Sequence, residues 1–110
     1  MKNYANKWII QRITAVILVP LTFWFVYQCI LLSSYEYIEI RDFFISKLNS
    51  SLFFILIIMM LYHAKLGCET ILEDYVTPHN LKKITKYLLS IFIYILMLLT
   101  TASLIFIINT

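Results

Sequence analysis

Three stretches of this chain carry no charged side chain: residues 13–32, 48–62 and 87–108. A bilayer's hydrocarbon core is about 30 Å thick, and about 20 helical residues at 1.5 Å rise cross it. The first and third stretches are long enough as they stand. The second is long enough if its helix continues through His63 to about Leu66 or Cys68. The chain therefore reads as an all-α membrane protein, a single domain over 1–110 with three transmembrane helices at about 8–32, 47–76 and 81–108. Composition agrees. Of 110 residues, 62% are hydrophobic, 14% are charged and one is glycine, which leaves too little polar surface and too few turn residues for a soluble domain.

The start, MKNYANKWIIQR, resembles the basic end of a signal peptide. The apolar run after it is too long for a signal core, and SSYEYIEIRD offers no small-x-small cleavage site, so the first helix is read as retained. The second helix ends before Pro78, because the residue preceding a proline disfavours helix. Asn80 is a fitting N-cap for the third. Between the first two helices lies a short polar loop whose FFISKL reads as an interfacial turn. Pro20 falls inside helix 1, where a modest kink is expected.

Charge sets the orientation. Lys2, Lys7 and Arg12 precede helix 1, and Lys65, Lys82, Lys83 and Lys86 surround the second connection. The first loop has only Arg41 and Lys47, offset by Glu36, Glu39 and Asp42, and the tail has no basic residue. The positive-inside rule then puts the N-terminus inside and the C-terminus outside. Trp8 and Tyr87 fall at the inner interface, Tyr35 and Tyr37 at the outer one. Cys29 and Cys68 lie near opposite faces, too far apart for a disulfide. The net charge of +3 belongs to the inner face and suits anionic lipid, not nucleic acid.

Helix 2 carries the unusual chemistry. At 100° per residue, His63, Gly67, Thr70 and Asp74 fall within about 60° of arc. Lys65, Glu69 and Glu73 form a separate stripe. Lys65 can snorkel to the inner interface and pair with Glu69 at i,i+4, leaving Glu69 and Glu73 at or beyond the headgroups, or facing a docked soluble partner. The His63 face is harder to assign to packing, since ionisable groups inside a membrane are costly and usually face protein, water or a cofactor. By itself His63 reads as a satisfied core histidine, a haem ligand or a proton-relay site. Gly67, one turn away, would let a macrocycle or a neighbouring helix approach closely. His79 lies past Pro78, outside the membrane helix, and Met59, Met60 and Met97 are poorer ligands for a second axial position, so a haem here is expected to be shared with another polypeptide. Arg12 opens helix 1 at the inner side. It suits haem propionates, because a guanidinium matches a carboxylate, and it equally suits a positive-inside anchor. Tyr75 lies about 18 Å from His63 along the helix axis.

These residues resemble a known family. QRITAVIL at 11–18, followed by YHAKLGCETILEDYVTP at 62–78, resembles the hydrophobic membrane anchor subunit of succinate dehydrogenase, respiratory complex II. The likeness rests on Arg12, Thr14 and Ala15 opening helix 1. It rests further on His63, Gly67, Asp74, Tyr75 and Val76 at their spacing along helix 2, and it covers about residues 8–100. The resemblance implies that His63 is an axial ligand to the iron of haem b, the other ligand coming from a cytochrome b556 subunit. It implies Arg12 near the propionates, Tyr75 hydrogen-bonding a ubiquinone carbonyl and Asp74 beside it. It implies assembly with an iron–sulfur subunit and a flavoprotein subunit on the inner side. Alone the chain is expected to catalyse nothing; within its complex, electrons pass from succinate to ubiquinone. A fumarate reductase anchor using menaquinone is the alternative of the same class, and a small non-redox three-helix membrane protein is another. A transporter would need a mid-membrane carboxylate on helix 1 or helix 3, and the sequence has none there. The expected location is a bacterial cell inner membrane, or the mitochondrial inner membrane for an organelle-encoded chain.

Overall fold

The computed structural model describes residues 4–109; the basic Lys2 lies outside them. Among the described residues the chain forms four helices: α1 over Tyr4–Leu32, α2 over Tyr37–Ile45, α3 over Lys47–Tyr75 and α4 over His79–Asn109. Three of them are long and apolar enough to cross a membrane: α1 from Ala5, α3 and α4. The bundle is elongated, 51 × 26 × 21 Å, with α3 packed against both α1 and α4. α1 runs without interruption through Pro20. Proline is tolerated inside such helices where neighbouring groups or local adjustments of the helix satisfy the carbonyl it frees.

Only Leu56, Leu66, Ile93 and Leu104 are buried apolar residues among those described, while Val16, Phe23 and Leu98 are mostly exposed. In water such a surface would aggregate. In lipid it needs no cover, because acyl chains are as apolar as leucine and helices associate by close packing and polar contacts instead.

The first connection differs from a plain turn. Residues 37–45 form the nine-residue α2, whose N-terminus is steadied by the Glu36 N–H donating to Glu39 Oε1 at 3.3 Å. The chain bends at Ser46, where ψ is 122°, and α3 begins at once. An aromatic ladder docks α2. Phe44 meets Phe43 and Phe53 edge-on at 5.0 and 5.1 Å, Phe43 stacks on Trp24 at 6.2 Å, and Phe53 tilts against Phe25 at 5.9 Å. Edge-to-face and offset rings at these separations attract through their quadrupoles. Ser50 Oγ also donates to the Phe44 carbonyl.

At the opposite end α3 stops at Tyr75, with Val76 extended at φ −95° and ψ 109°. Pro78 explains the stop, as expected. The start of α4 departs from expectation. The Lys82 N–H donates to the Pro78 carbonyl at 3.0 Å, so the first helical bond begins at Pro78 and Asn80 lies within the first turn, not at the cap. Proline needs no N–H there, and its carbonyl can open the ladder directly. Cys29 and Cys68 are both free and exposed.

Candidate functional site

α1 and α3 run antiparallel, and a stripe on α1 meets the polar face of α3 rung by rung. Lys7, Gln11 and Thr14 recur at helical spacing and so share one face of α1. Lys7 meets Glu69 and Glu73, Gln11 meets Gly67, and Thr14 meets His63.

Thr14 is 3% exposed, the most deeply buried polar residue described. Its Oγ1 donates to the Gln11 carbonyl at 2.9 Å and lies 2.8 Å from His63 Nδ1. His63 is therefore not packed only among aliphatic side chains. One ring nitrogen is engaged by the adjacent helix, and the ring keeps partial exposure.

Gly67 lies one turn further along α3. A methyl group in place of its hydrogen would meet Gln11 Nε2 at 3.4 Å, at the close end of ordinary contact. Gly67 lines a groove of about 300 Å³ with Lys7, Trp8, Gln11, Leu66 and Thr70. Gln11 Oε1 is buried there without a hydrogen-bond partner. A buried carbonyl left unpaired costs about 1–3 kcal/mol.

Arg12 takes a different direction. It lies about 160° round α1 from Thr14 at 100° per residue, is exposed, and holds its guanidinium 5.0 Å over the Trp8 ring. That distance is cation–π contact. The chain thus brings His63, Thr14, Gln11 and Gly67 together, and turns Arg12 outward at the same end of α1. Asp74 and Tyr75 close α3 and are exposed, Tyr75 by 79%. This chain alone encloses neither of them.

The charged stripe is not a solvated edge. Lys7 Nζ lies 3.3 Å from Glu73 Oε1 and 3.7 Å from Glu69 Oε1. Lys86 Nζ reaches Glu73 Oε1 at 2.7 Å, and Lys82 Nζ donates to the Glu73 carbonyl at 3.1 Å. Lys65 and Glu69 pair at 3.4 Å, the i,i+4 contact expected, with Lys65 also 5.9 Å from the Tyr94 ring centre. Lys65 packs within the bundle, its side chain 13% exposed. Glu69 and Glu73 are met by cations of this same chain, which joins α1, α3 and α4 at one end. Charges in so apolar a setting persist only when paired. The carboxylates at i,i+4 beside flanking lysines were the visible signal. The choice of Lys7 and Lys86 as partners was not visible, because each sits on another helix.

Fold and site together define a multi-pass helical membrane protein in which one span holds a histidine against its neighbour and ends in an exposed acid–phenol pair. Residues 3–104 match the family described as the succinate dehydrogenase/fumarate reductase transmembrane subunit, and the chain belongs to that family. It is similar to the succinate dehydrogenase hydrophobic membrane anchor subunits of Rickettsia typhi and Rickettsia prowazekii, at 29% identity over 91 residues, covering 83% of this chain and 73% of each relative. It is 32% identical over 81 residues to that of Rickettsia bellii, covering 74% of this chain and 65% of the relative.

Proposed function

We propose that this chain anchors a succinate dehydrogenase in a bacterial inner membrane. In that complex it supplies one axial ligand to haem b through His63 and part of a ubiquinone site through Tyr75 and Asp74. The observation that carries the reading is the Thr14–His63 contact at 2.8 Å with Gly67 one turn away.

The residues fit the group. An imidazole bound at Nδ1 by a hydroxyl keeps Nε2 for a metal, and second-shell hydrogen bonds of this kind orient metal-binding histidines. Gly67 supports the fit, since a larger side chain there would extend into the groove beside Gln11. A haem so bound supplies one-electron storage beside the quinone site. A second ligand would come from the cytochrome b556 subunit, because this chain's other histidine, His79, opens α4 past the end of α3. Arg12, exposed on the outward face of α1, is available to a propionate at a subunit interface.

Reduction of ubiquinone takes two electrons and two protons, and its carbonyl oxygens gain negative charge on the way. The Tyr75 hydroxyl donates a hydrogen bond to one such oxygen and stabilises that charge. Asp74 beside it orients a cationic group of a neighbouring subunit or passes protons from water. The excess of lysines at this end supports an inward orientation, with the iron–sulfur and flavoprotein subunits docked there. The exposure of Tyr75 supports a site completed by those partners.

The test is an optical spectrum of the assembled complex. The wild type is expected to show a b-type band, and His63→Ala is expected to lose it while the subunits still assemble. A band of undiminished intensity in His63→Ala removes His63 as a ligand.

A further inference from the structure

The hydroxyl of Thr14 has a single proton, and that proton is already committed. A threonine side chain has one O–H donor and two acceptor lone pairs. Two partners lie within hydrogen-bond reach of Oγ1: the Gln11 carbonyl at 2.9 Å and His63 Nδ1 at 2.8 Å. The carbonyl can only accept. If the hydroxyl proton went to Nδ1 instead, two oxygens would face each other at 2.9 Å with no hydrogen between them. Both contacts are hydrogen bonds in one arrangement only: the hydroxyl donates back one turn of its own helix, and Nδ1–H donates to the hydroxyl. Back-bonding of this kind is common for threonine in apolar helices, and β-branching leaves few rotamers to choose from. Thr14 is 3% exposed, so water does not compete for either bond.

We propose that Thr14 is a positioning residue that sets the tautomer of His63. It holds the imidazole as the Nδ1–H form and reserves the Nε2 lone pair for a metal. A free histidine side chain in water prefers the opposite tautomer, with the proton on Nε2, so the bundle reverses the default. One net hydrogen bond is enough, since about 1 kcal/mol shifts such an equilibrium several-fold. The same contact pins the ring to α1, so its direction is set by a residue 49 positions away in the chain. It also makes Nε2 a stronger electron-pair donor to a metal, because an Nδ1–H that donates a hydrogen bond pushes electron density into the ring. The tautomer stands independently of the proposed function; its consequence for the haem rests on that reading.

The experiment has two arms. In the first, the full-length chain carrying His79→Gln is labelled with ¹⁵N-histidine, reconstituted in lipid bilayers without haem, and its one remaining imidazole is read by solid-state NMR. The wild-type residue at position 14 is expected to give the Nδ1–H tautomer. Thr14→Ser is expected to retain it, and Thr14→Val to shift the ratio toward Nε2–H by about fivefold. A dominant Nε2–H form with Thr14 intact overturns the proposal, and so does a ratio unmoved by Thr14→Val. The wild-type and Thr14→Ser spectra decide the matter even where the valine variant fails to insert.

In the second arm the assembled complex is titrated for its haem midpoint potential. Thr14→Val weakens ferric binding more than ferrous and raises the potential, by about 59 mV for each tenfold change in relative affinity. Haem retention falls by about 10- to 100-fold. A potential unmoved by Thr14→Val removes the effect on the metal. A wild-type complex with no b-type band instead sinks the haem reading, and the tautomer measurement still decides the role of Thr14.

Discussion

Lys7 on α1 and Glu73 on α3, 66 residues apart in the chain, meet at 3.3 Å, and Lys86 on α4 reaches the same carboxylate oxygen at 2.7 Å. One glutamate thus ties all three long helices together at their basic end. Hydrophobic association cannot do this in lipid, where exposed leucine costs nothing. The ion network sits one turn from the Asp74–Tyr75 end and holds that end against its neighbours.

Replacement of Glu73 by glutamine should therefore cost more than replacement of Lys7 by methionine. The first leaves Lys86 facing a neutral amide and Lys7 only its longer contact with Glu69; the second leaves a carboxylate still held by Lys86. A charged hydrogen bond at such a site is worth about 1.5–3 kcal/mol. A double-mutant cycle on thermal unfolding in detergent should return a coupling energy of about 0.5–3 kcal/mol. Strictly additive effects would show that the contact contributes nothing.

Gly67 separates packing from function. Gly67→Ala should be neutral or stabilising by up to about 1 kcal/mol, because alanine is the better helix former and its methyl would meet Gln11 Nε2 at only 3.4 Å. Gly67→Leu should fill the groove beside Gln11 and, on the proposed function, reduce haem per complex while the subunits still assemble. Equal haem content in the two variants would mean that Gly67 leaves room for nothing outside the chain.

Tyr75→Phe removes one hydroxyl from an exposed ring and should not disturb the fold. On the proposed function the b-type spectrum persists and succinate–quinone reductase activity falls on the order of a hundredfold, the usual effect of losing a donor to developing charge. Succinate oxidation with a soluble acceptor should be unchanged. Wild-type quinone turnover in this variant would take Tyr75 out of the site.

Phe44 touches both Phe43 and Phe53 at about 5 Å. Its replacement by alanine should loosen α2 from the bundle at about 0.5–1.5 kcal/mol per ring pair. The change should appear as a lower unfolding temperature and faster hydrogen exchange over 37–45. On the proposed function, haem absorbance should be unaffected, since His63 lies ten residues beyond Phe53, about 15 Å along α3.

Much of this molecule could be read along the chain. Uncharged length set the three spans, and Pro78 set the end of α3. The Lys65–Glu69 pair followed from its spacing, because i,i+4 neighbours on a helix must meet. His63, Gly67, Thr70 and Asp74 were assigned to one face by angle alone; His63 and Gly67 indeed turn toward α1, while Asp74 at the helix end stays exposed. The nine residues of α2 read as a loop, because a helix that short is held by its aromatic neighbours and not by its own propensity.

Sequence by itself thus determined the number of long apolar helices, the end of α3 and the polar edges of α3. Only tertiary structure decided what each edge opposes: Thr14 for His63, Gln11 for Gly67, Lys7 and Lys86 for Glu73. Helical periodicity is a local property, carried by bonds between residues four apart. The partner across a helix interface depends on how two rigid rods settle side by side, and no residue records that alone.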